Sequence, residues 1–435
     1  MSDRPEWLRN VVMLVTAQSL MQFGSNIVGY SVIWYITLKT GSGGQYALLL
    51  VVSSLAMALT TVPGGIWADR HWRKALIIGA DGGIALAIAL LAVLMLRGHE
   101  TLWVIALALG FRGLGGGILA PAVNATVPQL VPAGKLMRVN SVNQAIAAVI
   151  QVAAPALAVL LLVWWPLGRI LLVYVVAALL AIGITLFIPI PRLAIDPSGR
   201  KLEGVAGYFR HLGEAIHYAA RFPGLKRAMV MGAMLLTIIV PFAQMTPVFV
   251  VRLYGDEKWM LAVVEITWSL GMVIGGLVIA AWGGLRNRMA MMMIACLMAA
   301  GLTMVMGFMP TIWAFVAVMI AMGFSLPLLQ TPLITAIQEL IPEAMMGRVM
   351  SVVTLVATVC GPLGMAVFGP LADHVSLSWL ALVCGAVGVV ILGTLALRGG
   401  PATRLYPPDR PADESVVEVV SSVGEPGTLV DARQD

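Results

Sequence analysis

One stretch of sequence decides the fold. Residues 289–338 read MAMMMIACLMAAGLTMVMGFMPTIWAFVAVMIAMGFSLPLLQTPLITAIQ and contain no Asp, Glu, Lys or Arg. A helix needs about 20 apolar residues to cross the hydrocarbon core of a bilayer, so this run is long enough for two crossings, and Pro310 divides it. Further uncharged runs lie at 40–68, 113–134, 139–168, 228–251 and 349–372. The chain is therefore expected to be an all-α membrane protein.

The composition excludes several other classes of protein. Of the 435 residues, 60% are hydrophobic and 11% are charged, against about 25% charged residues in soluble domains. A soluble globule, a disordered chain, a secreted disulfide scaffold and a nucleic-acid binder are excluded as the main interpretation. The apolar runs do not alternate, which disfavours a β-barrel. Cys296, Cys360 and Cys384 lie in apolar segments and the His residues show no ligand spacing, so we expect no disulfide, metal or cofactor.

The apolar runs predict twelve transmembrane helices in two halves. We assign six helices to residues 1–190 and six to residues 227–397. We interpret 191–226 as a cytoplasmic linker with an amphipathic helix at 204–222, and 398–435 as a disordered cytoplasmic tail. The predicted spans are 11–37, 44–67, 74–96, 101–124, 138–162, 168–190, 227–250, 259–282, 288–308, 311–334, 346–369 and 376–397.

The Lys and Arg residues predict the orientation of the chain. With the N-terminus in the cytoplasm, 21 of the 27 Lys and Arg residues lie in cytoplasmic segments, 5 lie outside and Arg112 lies within a span. Cytoplasmic loops of membrane proteins carry an excess of these residues. We therefore expect a multi-pass protein of the plasma (inner) membrane with both termini in the cytoplasm. The pI of 9.4 then reflects loops that face anionic membrane lipid.

The two halves repeat each other at an offset of 210 residues. Residues 130–139 read LVPAGKLMRV, residues 340–349 read LIPEAMMGRV, and the two segments share Leu, Pro, Arg and Val at equivalent positions. Ser141-Val142 recurs as Ser351-Val352, and Gly65 corresponds to Gly275. Six helices followed by six in the same orientation are typical of the parallel repeats of secondary transporters.

Polar side chains within the spans indicate a cavity, because such groups are costly in lipid and face protein or water. They concentrate on helices 1, 4, 5, 7, 8 and 10, so we expect helices 3, 6, 9 and 12 to be the outer, lipid-facing set. The alternative is that the amides only form hydrogen bonds between packed helices. The predicted substrate-cavity residues are Gln18, Gln22, Asn26, Trp34, Asn140, Asn143, Gln144, Gln151, Gln244, Trp268 and Gln330.

Three ionisable side chains within spans are candidates for proton coupling, namely Glu265, Asp81 and Arg112. Glu265 is predicted about two turns from the outer end of helix 8. Closure of the outer side favours its protonated form, whereas water or a cationic substrate favours its charged form. Arg112 cannot lose its proton and can only tune a neighbouring acid. The alternatives are a structural carboxylate at Glu265, held by a hydroxyl or by Arg252, and an inter-helix hydrogen bond for Asp81.

The loop between helices 2 and 3 reads GIWADRHWRK at 65–74, which on charge alone could be an ordinary positive cytoplasmic loop. It resembles the signature G-x-x-x-D-R-x-G-R-K of the major facilitator superfamily, with Trp72 in place of the second glycine. The run 112–117 (RGLGGG) resembles the fourth-helix motif of this family, whose arginine is implicated in proton coupling in antiporters. The signature positions matched are Gly65, Asp69, Arg70, Arg73 and Lys74.

A closer resemblance, to the branch with macrolide-efflux proteins and the enterobactin exporter, runs through 121–125, 131–141, 338–342 and 347–349. It implies the major facilitator fold and a proton-coupled exporter of amphipathic, drug-like or macrolide-like molecules that works by alternating access, with the signature residues as a cytoplasmic gate. A substrate importer, a siderophore or metabolite exporter and a transport-dead scaffold remain alternatives. We expect a non-enzymatic monomer whose partners are a small-molecule substrate, protons and membrane lipid. No G-x-x-x-x-G-K-[ST] phosphate loop is present, so neither nucleotide nor nucleic acid is an expected partner.

Overall fold

The computed structural model describes residues 6–132, 135–190, 213, 216–217, 223–285, 287–341 and 343–397. The predicted linker helix at 204–222 and the predicted tail at 398–435 lie almost wholly or wholly outside the described residues. The first half of the chain forms the helices α1 (Glu6–Thr40), α2 (Gly43–Arg70), α3 (Arg73–Leu96), α4 (Leu102–Leu130), α5 (Leu136–Trp164) and α6 (Leu167–Leu186).

The second half begins with a broken segment, α7, whose parts are Pro223–Met234, a π-helical turn at Leu235–Ile239, Val240–Gln244 and Thr246–Tyr254. It continues with α8 (Lys258–Trp282), α9 (Arg288–Met306), α10 (Ile312–Leu340), α11 (Glu343–His374) and α12 (Leu377–Leu397). Eleven of the described helices are long and apolar enough to cross a membrane, and the bent α7 supplies a twelfth. The predicted all-α membrane architecture is confirmed.

The seventh segment departs from the prediction of one helix at 227–250. Its pieces Ala228–Gln244 and Thr246–Tyr254 meet at a bend of 41°. Pro241 and Pro247 lie on either side of the bend, and proline has no backbone N–H to donate to a helical ladder. The sequence prediction overlooked this break because the whole segment is apolar.

The bend releases a backbone carbonyl for a contact with the first half. The N–H of Val248 donates to the carbonyl of Met245 at 2.8 Å, in place of the residue four positions back. The carbonyl of Gln244 instead accepts a hydrogen bond from the hydroxyl of Tyr46 in α2. A buried carbonyl needs such a partner, so the break in α7 and the contact with α2 stabilise each other.

Glycines allow the closest helix pairs to form, and they do so in the same way in both halves. A Cβ at Gly113 of α4 would lie 2.2 Å from the carbonyl oxygen of Ser53 in α2. A Cβ at Gly323 of α10 would lie 2.2 Å from the carbonyl oxygen of Trp268 in α8. Gly113 and Gly323 are separated by the 210-residue offset of the repeat, so equivalent positions of α4 and α10 make a close approach in the two halves.

Gly65 of the loop motif makes no close helix contact. A Cβ at this position would meet nothing within 4 Å. Its neighbour Gly64 makes the close approach, because a Cβ there would lie 2.7 Å from the carbonyl oxygen of Gly117 in α4. One residue turns a helix by about 100°, so adjacent glycines face different neighbours.

Helices 3, 6, 9 and 12 were predicted to face lipid because they carry few polar side chains. In α3, one side packs against protein and the other side is exposed. It packs against α4 and α6, and it exposes Leu86 and Leu90 on the opposite side. Asp81 is only 3% exposed and therefore faces the interior of the first half. In α9, Met291 and Met292 are buried in the core of the second half.

Candidate functional site

The two ends of the helical bundle differ in how the halves meet. We call the end with the turns after α1, α7 and α11 the distal end, and the end with the turn between α2 and α3 the proximal end. Close contacts between the halves lie at the distal end, where α2 packs against α11 and α5 packs against α8. A Cβ at Gly369 would lie 2.1 Å from the Cβ of Ala47, which indicates how tight this contact is.

A chamber of about 550 Å³ lies between the halves beneath these contacts. It contains five of the predicted cavity residues and the candidate proton carrier. From α1, α2 and α5 it is lined by Tyr30, Trp34, Tyr46 and Gln151, and from α7, α8, α10 and α11 by Gln244, Glu265, Trp268, Gln330 and Thr358.

Glu265 is positioned in the chamber by α8, seven residues after the helix begins at Lys258. It lies about 10 Å from the distal end of that helix, at 1.5 Å per residue. Within the described residues it makes no hydrogen bond or ion pair, so no hydroxyl holds it there. The alternative partner Arg252 binds elsewhere, donating to Asp373 at 2.7 Å and to the carbonyl of Gly41 at 2.9 Å. The carboxyl group is thus available to a proton or a ligand.

Aromatic side chains surround the acid on the side of the first half. Tyr30 and Trp34, one turn apart in α1, have ring centroids 5.3 Å apart. Trp34 is fully buried, and its Nε1 has no hydrogen-bond partner. An aromatic face attracts an organic cation, and the partly buried Tyr30 offers such a face to the chamber. The chamber therefore combines a carboxylate with surfaces suited to an amine.

A second pocket, of about 440 Å³, lies within the first half, and we call it the N-half pocket. Arg112 of α4 donates to Ser25 Oγ through Nη2 at 2.7 Å and through Nε at 3.0 Å. Asp81 lines the same pocket, and its Oδ1 has no hydrogen-bond partner. The inter-helix bond considered for Asp81 is therefore not made by this oxygen. Gln18, Gln22, Asn124 and Tyr174 also line the pocket.

The predicted cavity residues thus divide between two sites. Gln18 and Gln22 line the N-half pocket, whereas Trp34, Gln151, Gln244, Trp268 and Gln330 line the chamber. Met57 borders both sites. Four residues line neither site: Asn26 is half-buried, and Asn140, Asn143 and Gln144 are exposed on the proximal part of α5.

The loop motif ties the proximal ends of the first half together. Arg73 donates to the carbonyl of Ala125 in α4 at 2.6 Å and to that of Ala68 at 2.9 Å. Lys74 donates to the carbonyls of Leu186 and Ile188, at the end of α6, at 2.7 and 3.0 Å. Cationic side chains satisfy the free carbonyls at helix C-termini in this way. The side chains of Asp69 and Arg70 lie outside the described residues.

A polar contact at the distal end was not predicted from the sequence. Asp373 of α11 accepts from the N–H of Gly43 at 2.7 Å, from the N–H of Gly44 at 2.9 Å and from Ser42 Oγ at 2.7 Å. Arg252 of α7 pairs with the same carboxylate. We call this cluster the distal seal. Its available signal was Ser42-Gly43-Gly44, a helix N-terminus that leaves backbone N–H groups free for an anion.

Comparison with known proteins agrees with this architecture. The family model described as Major Facilitator Superfamily matches residues 14–365. The chain belongs to the Major Facilitator Superfamily. It is therefore a transporter of this family, and the chamber and the N-half pocket are sites within such a transporter.

The Major Facilitator Superfamily relatives include named efflux proteins. Macrolide efflux protein A of Streptococcus pyogenes is 25% identical over 384 residues, which cover 86% of this chain and 93% of that protein. Multidrug efflux pump Tap of Mycobacterium tuberculosis is 24% identical over 400 residues, covering 86% and 89%. The resemblance to macrolide-efflux proteins is confirmed at this level of identity.

Solved structures of similar fold confirm the major facilitator architecture. A nucleoside transporter superimposes with a TM-score of 0.69 at 12% identity, covering 90% of this chain and 100% of that one. A D-xylose-proton symporter superimposes with a TM-score of 0.65 at 13% identity, covering 91% and 99%. At such identities the likeness concerns the fold alone.

Proposed function

We propose that the protein exports amphipathic cations from the cytoplasm in exchange for protons, by alternating access. One observation carries the proposal: Glu265 lies in the chamber between the halves, beneath the distal seal, without a hydrogen bond or ion pair among the described residues. The names of the macrolide and multidrug efflux relatives support the direction of transport and the drug-like character of the substrate.

In this proposal Glu265 binds either a proton or the cation. A carboxylate without a partner is stable in a closed, apolar site only when it is neutral or paired with a cation. When the chamber opens to water on the distal side, a proton replaces the departing cation on the carboxyl group. The exchange of one for the other allows the loaded carrier to close without leaving a bare charge in the membrane.

Asp81 and Arg112 are the further candidates for proton coupling in the N-half pocket. Arg112 remains charged, so it acts on the acid beside it and carries no proton itself. Its three hydrogen bonds to Ser25 connect the pocket to α1, and α1 also carries Tyr30 and Trp34 into the chamber. In this proposal a change of charge at Asp81 acts through Arg112 and Ser25 on α1, the helix that borders the substrate.

The remaining parts of the proposal concern topology and the gate. We infer that the protein lies in the cytoplasmic membrane with both termini inside, which makes the proximal end cytoplasmic. The cluster of Gly65, Asp69, Arg70, Arg73 and Lys74 then acts at the cytoplasmic end, where it locks the halves when the chamber opens outward. We also propose that the chamber residues bind substrate, together with Asn140, Asn143 and Gln144 on the proximal part of α5.

The test compares Glu265→Gln with the wild type in proteoliposomes under an imposed proton gradient. We expect the variant to lose proton-driven transport of tetraphenylphosphonium and to keep some transport of neutral chloramphenicol. Glu100→Gln is the control, since Glu100 is an acid at the same end of the bundle that pairs with Lys39 and lies outside the chamber. If Glu265→Gln still concentrates the cation and an uncoupler still abolishes this, Glu265 is not the carrier and Asp81 takes its place.

A further inference from the structure

An apolar recess within the second half lies next to the chamber. The recess has a volume of about 320 Å³ and lies between α7, α10 and α11. Met229, Leu329, Leu333, Val353 and Val356 belong to its lining. It adjoins the chamber, because Leu236, Leu326, Gln330, Ala357 and Thr358 line both spaces.

The chemistry changes from one space to the other. Among the residues that line the recess, Gln330 and Thr358 carry the polar side chains, and both stand at the boundary with the chamber. Glu265 and Trp268 line the chamber and not the recess. A site with a carboxylate at one end and an apolar wall at the other matches a ligand with the same division.

The broken helix α7 forms the boundary between the two spaces. Leu236, in the π-helical turn, lines both the chamber and the recess, and Gly232 and Ala233, just before the turn, line the recess. Single π-helical turns often mark functional positions in helices. A Cβ at Gly232 would meet nothing within 4 Å, so this glycine opens space in the recess without being required for helix packing.

We propose that the recess binds the apolar body of the transported molecule while its amine lies at Glu265. This inference rests on the proposed function, since it needs a cation in the chamber. The substrate class is an alkylammonium or protonated amine joined to a bulky aliphatic or aromatic body. Apolar surface buried in the recess contributes affinity, and the carboxylate selects the charge.

The experiment measures binding of n-alkyltrimethylammonium ions of increasing chain length to the full chain in lipid nanodiscs. In the wild type we expect affinity to rise about fourfold for each methylene that enters the recess, up to a plateau. Gly232→Leu fills the recess and should bring the plateau at a shorter chain, with little change for the shortest ion. Gly301→Leu is the matched control, because Gly301 in α9 also has open space at its Cβ but lines neither the chamber nor the recess.

The outcomes separate this inference from the proposed function. An identical dependence on chain length in the wild type and Gly232→Leu would overturn the recess as a site. A wild type without any such dependence would also overturn it, and quenching by brominated lipid would then identify an acyl chain as the occupant. Glu265→Gln should weaken every ion in the series by a similar factor. If it weakens none, the cation site fails, while the comparison at Gly232 still reports on the recess.

Discussion

Asp373 accepts a hydrogen bond from the backbone N–H of Gly43 at 2.7 Å, and this bond joins the last turn of α11 to the first turn of α2 across the two halves. A carboxylate is favoured at a helix N-terminus by the free N–H groups and by the helix dipole. Arg252 of α7 also stabilises this contact, because it donates hydrogen bonds to Asp373 and to the carbonyl of Gly41. A few charge-assisted bonds therefore join the two halves at the distal end, beside the close packing of α2 against α11.

The distal seal should be sensitive to one substitution. Asp373→Asn removes the charge and is expected to shift the protein toward states with an open distal end. A loss of about 1–2 kcal/mol changes the ratio of closed to open states by about 5- to 30-fold. The measurement is the distance between spin labels at His99→Cys and Glu257→Cys, one in each half, in a background without the three native cysteines. Glu100→Gln is the control, and an equal shift in both variants would contradict a specific seal.

Substitution by alanine should destabilise the protein at Gly113 of α4 but not at Gly116, one turn further along the same helix. At Gly113 a Cβ would lie 2.2 Å from the carbonyl oxygen of Ser53, so Gly113→Ala should separate α2 from α4 and cost about 1–3 kcal/mol. At Gly116 a Cβ meets nothing within 4 Å, so Gly116→Ala should be neutral or stabilising by about 0.5–1 kcal/mol. Thermal unfolding of the purified variants measures this difference. Equal changes in Tm would mean that the close approach of α2 and α4 is not required.

The loop motif should act on transport more than on folding. Asp69→Asn is expected to impair transport strongly while expression and substrate binding remain close to wild type, because the motif locks the proximal end during only part of the cycle. Uptake assays in proteoliposomes, together with binding of the same substrate, measure the two effects. Lys135→Gln alters a nearby loop charge outside the motif and should leave transport intact. Wild-type transport in Asp69→Asn would show that the loop serves only as a topology signal.

The orientation of the chain can be checked with reporter fusions. A reporter that is active only in the cytoplasm should work when it is fused after Arg404 and should be silent when fused at Asp256. The physical reason is the excess of Lys and Arg in the segments assigned to the inside. A periplasmic reporter at the same two positions should give the reverse result. Activity of the cytoplasmic reporter at Asp256 and not after Arg404 would show that the chain has the inverted topology.

One ion pair at the distal end gives a pH-dependent contribution to stability. Hydrogen bonds from Lys39, at 2.6 Å, and from Tyr35 hold the pKa of Glu100 below its ordinary value. Because the folded-state pKa is the lower one, the contribution is complete above the unfolded-state pKa of about 4.3 and is lost as the pH falls through the folded-state pKa. Glu100→Gln should therefore unfold at a slightly lower temperature than wild type at pH 7. The difference in unfolding temperature should disappear at pH 3. A difference that is unchanged at pH 3 would show that it does not come from the charge of Glu100.

The sequence was sufficient for features that depend on local composition. The run 289–338 predicts two helices because a chain in lipid must satisfy its backbone within each helix and cannot place charge along it. The boundary between the two helices followed from Pro310, because proline lacks the backbone N–H that a helical ladder needs. Glu265 could be placed near the distal end of its helix by counting residues, since the rise per residue is constant.

Other features depend on the direction of a side chain or on partners far away in the sequence, and these could be seen only in the tertiary structure. Gly64, not Gly65, packs against α4, and no composition distinguishes the two. The predicted cavity residues on α1 divide at Ser25, so that Gln22 lines the N-half pocket and Trp34 lines the chamber. The charge pattern gave no sign of the break in α7, because residues 228–251 contain no Asp, Glu, Lys or Arg, and its signal in the sequence was the pair Pro241 and Pro247.

The sequence by itself determined that this chain crosses the membrane as two repeated sets of helices with few buried charges, because insertion into lipid depends on the composition of each segment alone. Only the tertiary structure decided which polar groups meet. Asp373 and Gly43 are 330 residues apart in the chain and 2.7 Å apart in space, and Asp81 and Arg112 share a pocket apart from Glu265. Such meetings depend on the rotation of each helix about its axis, which is set by packing between helices and by no single helix.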